Sequence, residues 1–277
     1  MGGLSQADVS KFEKDGFLCP IDVCDADEAL ALRRQLEEAE REAANDPRLR
    51  DAIKSGGSQV LPFIDRLSRD PRITDPLASL LGPDLLLWAS SLFIKEPHTS
   101  AFISWHQDVH YWGLDDASEV TAWLALSPAT VESGCMRFVA GSHKTTVPHN
   151  DTFATDNMLS RGQEIAVQVD ESTTVNAELR PGQMSLHHGL TFHASHENRS
   201  DDRRIGLAFR YVPTRNRQVG DVKTQASLVR GTDTYGHFEL TPPPTSRFER
   251  EALARFERGR ELSRAILSRG AKAPARL

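Results

Sequence analysis

A mainly β fold with flanking helices, built on a double-stranded β-helix (jelly-roll, cupin-like) core, is the architecture this 277-residue sequence predicts. Three observations predict it. After Gly82-Pro83 the pattern changes from helix-like spacing to short strand-like runs bounded by Gly or Pro. Residues 204–212 alternate, with Ile205, Leu207, Phe209 and Tyr211 on one face and Arg204, Gly206, Ala208 and Arg210 on the other. Many short strands behind leading helices fit a jelly roll with a helical layer packed on its outside. No repeat and no linker composition interrupts the chain, so residues 1–277 read as one domain. It comprises N-terminal helices over 1–82, a jelly-roll core over about 84–213, and a C-terminal tail and helix over 214–277.

Taken in order, Ser5 caps a short helix that Gly16 ends near Asp15, and Phe17 to Val23 reads as a strand. Asp25 with Glu28 three residues on resembles a capping box and opens a helix to about Ala44. Its stripe is Ala29, Leu32, Leu36 and Ala39. Residues 45–60 are polar and expected to be a loop, with short helices following near Phe63–Leu67 and Asp75–Leu81. Strands are expected at Leu85 to Lys95, Val120 to Ser127, Met136 to Val139, Gln183 to His188 and Arg204 to Val212. Residues 144–160 are polar and expected to form a mobile lid. Residues 214–245 read as a long tail segment, and Ser246 with Glu249 starts a last helix to about Leu267.

Composition narrows the function. Hydrophobic residues make up 39% and charged residues 26%, enough for a sizeable core. A net charge of −6 argues against nucleic acid as the main partner, which usually needs a basic stripe. Cys19, Cys24 and Cys135 are odd in number and lack metal-site spacing, which fits a reducing, cytoplasmic setting. Neither a signal peptide nor a run of about 18 apolar residues is evident, so no membrane is expected as a partner. Oligomeric state is not legible.

The chemistry gathers in Trp105-His106-Gln107-Asp108 and in His193-Ala194-Ser195, with Arg204 beyond. Two imidazoles and a carboxylate on one face of a metal leave the opposite positions open, the ligand set of non-haem Fe(II) oxygenases. Strand alternation puts His106 and Asp108 on one side with Gln107 opposite, and His193 on the same side as Ser195. The bland alternative is a surface His–Asp hydrogen bond. For the distal ligand His187, His188 and His196 compete. His187 and His188 are adjacent, so at most one looks inward, and only His193 has a Ser two residues on and an Arg eleven on. An arginine there suits a dicarboxylate cosubstrate whose far end needs a bidentate cation. Arg203 is the decoy, and the small residues Gly206 and Ala208 beside Arg204 select the latter by leaving room for a ligand.

Four ordered blocks carry a more specific resemblance. They are Leu92-Phe93-Ile94-Lys95-Glu96-Pro97, Trp105-His106-Gln107-Asp108, Gly134 through His143, and His193-Ala194-Ser195-His196-Glu197-Asn198 running on to Arg204. Over roughly residues 84–213 the chain resembles the phytanoyl-CoA dioxygenase family of iron(II)/2-oxoglutarate oxygenases, which includes ectoine hydroxylases, and Asp15-Gly16-Phe17 is typical of that family's start. The resemblance implies Fe(II) on His106, Asp108 and His193, 2-oxoglutarate as cosubstrate with its far carboxylate on Arg204 and Ser195, and O₂ as oxidant. It also places Trp123 and Lys95 near the cosubstrate, although a core tryptophan and a solvated lysine are the plain alternatives. His143 is expected to support the site without binding iron, and Asn198 to fix the loop after the distal ligand through its own backbone bonds. Arg137 departs from the family, whose strand usually carries aliphatics there; an exposed position and a reach toward a charged substrate both stay open.

His110, Tyr111 and Trp112 follow the metal strand and are candidates for the substrate mouth, together with Arg137, Tyr235 and His237; a packed aromatic corner is the plain reading of the first three. The reaction this implies is hydroxylation of an aliphatic C–H of a small polar metabolite, with release of succinate and CO₂. Desaturation, epoxidation or halogenation at the same iron, an apolar acyl or terpenoid substrate, and a cupin-like zinc hydrolase or binding protein are the alternatives. Halogenation is disfavoured because halide must take the position Asp108 fills.

Overall fold

Capping signals open the chain in the computed structural model, which describes residues 2–220 and 222–276. Ser5 caps α1 (Gln6–Asp15), Asp8 reaches back to complete the box, and Gly16 closes the helix at φ 85°. Strand β1 (Phe17–Asp22) follows, then α2 (Ala26–Glu42), whose buried stripe is Ala29, Leu32, Leu36 and Ala39. Asp25 caps α2 as expected, but Glu28 pairs with Arg72 instead of closing a box. Residues 45–60 correct the expected loop. They form α3 (Pro47–Val60), begun by Asp46 and Pro47 and broken from helical geometry at Gly56. The glycines that hid it serve close packing: a Cβ on Gly56 would come within 2.3 Å of the Phe256 ring. Helices α4 (Pro62–Ser68) and α5 (Pro71–Leu81) complete this layer.

The strands then run β2 (Leu85–Lys95), β3 (Ile103–His106), β4 (Val120–Ala125) and β5 (Met136–Phe138). Next come β6 (His149–Asp151), β7 (Gln163–Ile165), β8 (Val175–Ala177) and β9 (Gln183–His188). The last are β10 (His193–Ser195), β11 (Arg204–Pro213), β12 (Gln225–Arg230) and β13 (Glu239–Leu240), before helix α6 (Arg250–Leu267). The large sheet has the order β1-β9-β4-β11-β2-β12-β13, and the small sheet β3-β10-β5-β8. One core joins the helices to the outer face of the large sheet through Ile205, Leu207, Phe209 and Tyr211. A second lies between the sheets, where Phe17, Trp123 and Ala208 meet Met136 and Phe138. This is the jelly roll with an outer helical layer.

Two expectations near the C-terminus are corrected. The large sheet does not stop at residue 213, because β12 pairs with β2 and draws part of the expected tail into it. Helix α6 starts at Arg250, and Glu249 is bonded by Thr245, not by Ser246. The segment expected as a lid carries β6, which pairs with β7. No helix among the described residues is long and apolar enough to cross a membrane.

Candidate active site

His106 and His193 face each other across β3 and β10, with ring centroids 4.0 Å apart. Strand β3 ends at His106, so Asp108 is not on the strand that alternation assumed; it opens a 3₁₀ turn over Asp108–Tyr111. Gln107 remains extended at φ −114° and ψ 133°, which still returns Asp108 to the side of His106. His106 Nε2 lies 3.3 Å and His193 Nε2 3.9 Å from Asp108 Oδ1, and one donor atom from each residue falls within 4.8 Å of the others. All three are buried. His106 Nδ1 donates to the Ser104 and His193 carbonyls and His193 Nδ1 to the Thr191 carbonyl. Those bonds fix the tautomer that leaves each Nε2 bare for a metal.

Burial opposes the Asp108 charge, yet His106, His187, His193 and Arg210 together hold its carboxyl well below the usual range. Burial pushes His193 down, so both the acid and the imidazole favour their metal-binding forms. Gln107 turns its side chain the other way, donating to the Thr145 and Leu190 carbonyls at 2.8 and 2.7 Å. Its backbone N–H donates to His149 Nε2 at 3.0 Å. Residues 145–149 therefore clamp the turn between two of the three acidic and imidazole groups.

Along the same cavity Arg204 is 1% exposed, and its Nε and one terminal nitrogen have no hydrogen-bond partner among the described residues. Its guanidinium lies 5.2 Å from the centre of the Trp123 ring. Cross-strand pairing sets Lys95 directly opposite Arg204. Lys95 is fully buried and donates to Ser195 Oγ at 2.7 Å and to the His196 carbonyl. Burial, then the neighbouring Arg204, push the Lys95 ammonium down to about 6, and burial pushes Arg204 down to about 10. A buried guanidinium and a buried amine with no carboxylate between them form a cradle that a ligand anion completes. Gly206 does not leave room for that ligand, as the sequence reading supposed. A Cβ there would come within 1.7 Å of Trp123, whose ring fills the space, whereas Ala208 does line the cavity. Asn198 donates to the Lys95 and Asp202 carbonyls and so ties the loop before β11 to β2. Arg203 points outward to Glu40 and Glu96.

This small inner cavity shares Phe93, Asp108 and Arg210 with a larger outer one. Of the mouth candidates, Trp112 lines the outer cavity and stacks on Trp88 at 4.7 Å. His110 stacks on His149 at 4.1 Å, and the Tyr111 hydroxyl donates to Asp151. Arg137 sits on β5 between the inward Met136 and Phe138, and pairs with Glu171 over the Trp105 ring. Tyr235 is 55% exposed and stacks on His237, on the wall of neither cavity. The distal competitors separate as well. His187 faces the inner cavity, His188 points toward His143, and His196 presents its backbone carbonyl to Lys95. Sequence reasoning gave no role to Thr121 or Arg210 and weighed His187 only as a rival distal ligand, yet all three line the inner cavity. Parity was the available signal for Arg210, an even number of residues beyond Arg204 on one strand.

A family model described as phytanoyl-CoA dioxygenase matches residues 12–206, more than half of the sequence. The chain belongs to the phytanoyl-CoA dioxygenase family. Within that family's reach, a Bos taurus phytanoyl-CoA dioxygenase domain-containing protein 1 is 24% identical over 76% of this chain and 90% of its own. The ectoine dioxygenase of Bordetella parapertussis is 27% identical over 51% of this chain and 50% of its own. The chain spans about half the length of that enzyme and of several other relatives. Among solved structures, the apo form of the non-haem monooxygenase ThoJ is 33% identical, with TM-score 0.85 over 94% of this chain and 97% of that one. The residues here fit both Fe(II) and 2-oxoglutarate. The triad suits Fe(II), and the orphaned Arg204 guanidinium suits the far carboxylate of 2-oxoglutarate.

Proposed function

We propose that this protein, one domain over residues 1–277, is an Fe(II)/2-oxoglutarate-dependent dioxygenase that hydroxylates an aliphatic C–H of a small polar metabolite. The observation that carries the reading is a buried His–Asp–His triad on the same cavity as an unpaired, fully buried arginine. A zinc hydrolase would use the triad but leaves the Arg204 cradle without a task. In this reading His106, Asp108 and His193 hold the metal, and Arg204, Ser195, Trp123 and Lys95 receive the cosubstrate. When bound, iron with 2-oxoglutarate and O₂ would supply the oxidation, one oxygen atom going to succinate, released with CO₂, and the other to the hydroxylated product. The protein's own contributions are positioning and exclusion of water. Backbone carbonyls orient both imidazoles, Gln107 and His149 fix the turn to Asp108, and Trp123 lies against Arg204. Three free cysteines support a reducing, cytoplasmic setting.

The test is anaerobic reconstitution with Fe(II) and 2-oxoglutarate, read by the weak visible band of a chelated keto acid, followed by a succinate-release screen over small metabolites. His106→Ala and His193→Ala should abolish the band, and His188→Ala should retain it. A band lost in His188→Ala and kept in His193→Ala overturns the ligand assignment, and zinc binding without any band favours the hydrolase.

A further inference from the structure

We infer that Arg210 anchors the substrate: with Ser91, Phe93 and Trp112 it forms a subsite for a carboxylate on the molecule to be oxidised. This inference rests on the dioxygenase reading above and names its substrate class. Arg204 and Arg210 share the inner face of β11 at an even spacing, roughly 20 Å apart at 3.4 Å per residue. The wall between them is Ala208, and Asp108 stands at the Arg210 end, where Arg210 Nε lies 3.9 Å from Asp108 Oδ2. Arg204 faces the inner cavity only, whereas Arg210 lines both the inner and the outer cavity. It therefore stands where a substrate coming from outside meets the metal centre.

The side chain is held before any ligand arrives. One terminal nitrogen donates to Ser91 Oγ at 3.0 Å, and the guanidinium carbon lies 5.7 Å from the Phe93 ring centre and 5.2 Å from that of Trp112. Arg210 is only 8% exposed, and its Nε has no hydrogen-bond partner among the described residues. The nearest carboxylate is Asp108, beyond hydrogen-bond reach and committed to the metal in this reading. Glu119 accepts from the Thr121 hydroxyl at 2.7 Å, not from Arg210.

Charge then selects the ligand. A divalent metal with one carboxylate ligand leaves a single positive charge. A dicarboxylate cosubstrate with Arg204 leaves a single negative one. Burial and the neighbouring Asp108 push the Glu119 carboxyl up toward its neutral form, and burial pushes the Lys95 ammonium down, so Arg210 is the positive charge left over in a site where a buried ion must be paired. A carboxylate presents two oxygens to the guanidinium edge, while the substrate's carbon chain runs outward along Trp88, Trp112, Leu159 and Leu267. The carbon attacked would thus lie close to the carboxylate.

The experiment loads the full chain anaerobically with Fe(II) and saturating 2-oxoglutarate, then titrates it with hexanoate and with uncharged hexanamide, reading tryptophan fluorescence and heat. Wild type should bind hexanoate at least tenfold more tightly than hexanamide. Arg210→Gln should erase that preference and Arg210→Lys should keep part of it, with the keto-acid band still formed in both. Equal binding of the two probes by wild type overturns the inference without relying on any variant. So does a preference that survives in Arg210→Gln, or loss of the band in both variants, which would assign Arg210 to supporting Asp108. Hexanoate preference without a band would sustain the anion subsite and sink the dioxygenase reading. A band without the preference would do the reverse.

Discussion

The two faces of β11 differ in one respect: the outer face is finished by the protein and the inner face is not. Outward, Ile205, Leu207, Phe209 and Tyr211 are at most 1% exposed and close against the helical layer, with the Tyr211 hydroxyl donating to the Ser68 carbonyl. Inward, Arg204 and Arg210 are nearly as buried, yet each keeps a nitrogen without a hydrogen-bond partner among the described residues. Burying an apolar side chain is favourable by itself, whereas burying an unpaired cation is costly. The outer face accordingly stabilises the fold, and the inner face holds free energy that an anion can release.

Breaking the outer face should give the largest effect. Phe209→Ala removes a fully buried ring and is expected to cost about 3–5 kcal/mol of stability. Its denaturation midpoint should fall while the folded fraction keeps its 2-oxoglutarate affinity. Breaking the inner face should do the opposite. Arg204→Gln is expected to weaken 2-oxoglutarate binding by about 2–5 kcal/mol while leaving the ligand-free protein at least as stable as wild type. Arg203→Gln, one residue away and ion-paired outside, should cost no more than about 1 kcal/mol in either assay. Equal effects of Arg203→Gln and Arg204→Gln on binding would reject the division into faces.

Gly206 joins the two faces, and its replacement sharpens the comparison. A Cβ would drive into the Trp123 ring that lies beside the Arg204 guanidinium. Overpacking of this kind costs about 1–3 kcal/mol. Gly206→Ala should therefore lower thermal stability and 2-oxoglutarate affinity together, unlike either substitution above. An affinity untouched by Gly206→Ala would show that Trp123 is core packing alone.

What could be read in advance follows the range over which each feature is determined. The stripe of α2 and the alternation of β11 are local periodicities, and both were legible. Helix α3 was not, because Gly56 and Gly57 look like breakers until Phe256 and Ile64 are known to pack on them. Strand β12 depends on a long-range pairing with β2 and carries no strong alternation of its own. At the site, the spacing of His106, Asp108 and His193 pointed to three residues that the structure brings together, although Asp108 reaches the cluster from a turn. The Lys95–Ser195 bond was invisible, since it joins β2 of the large sheet to β10 of the small one and depends on how the two sheets pack.

Lys95 supplies the smallest effect and the sharpest sign. Its ammonium is pushed from 10.5 to about 6, first by burial and then by Arg204, so it is largely neutral in the ligand-free protein at pH 7. The unfolded chain keeps that proton up to the ordinary value, so between about 6 and 10.5 it binds more protons than the folded one. This group's penalty on stability is therefore full below about pH 6 and fades as pH rises through that window. A carboxylate held by Arg204 and Ser195 screens one cause of the depression and raises the Lys95 value. Binding of 2-oxoglutarate should then take up part of a proton above pH 6, and affinity should fall as pH rises, by at most tenfold per unit, or about 1.4 kcal/mol. Below pH 6 the lysine is protonated in both states and its contribution becomes flat. Calorimetry in two buffers of different ionisation enthalpy measures the uptake directly, and Lys95→Met should abolish it. Uptake that persists in Lys95→Met, or proton release in wild type, would place the titrating group elsewhere and leave Lys95 as a fixed strut between β2 and the loop after His193.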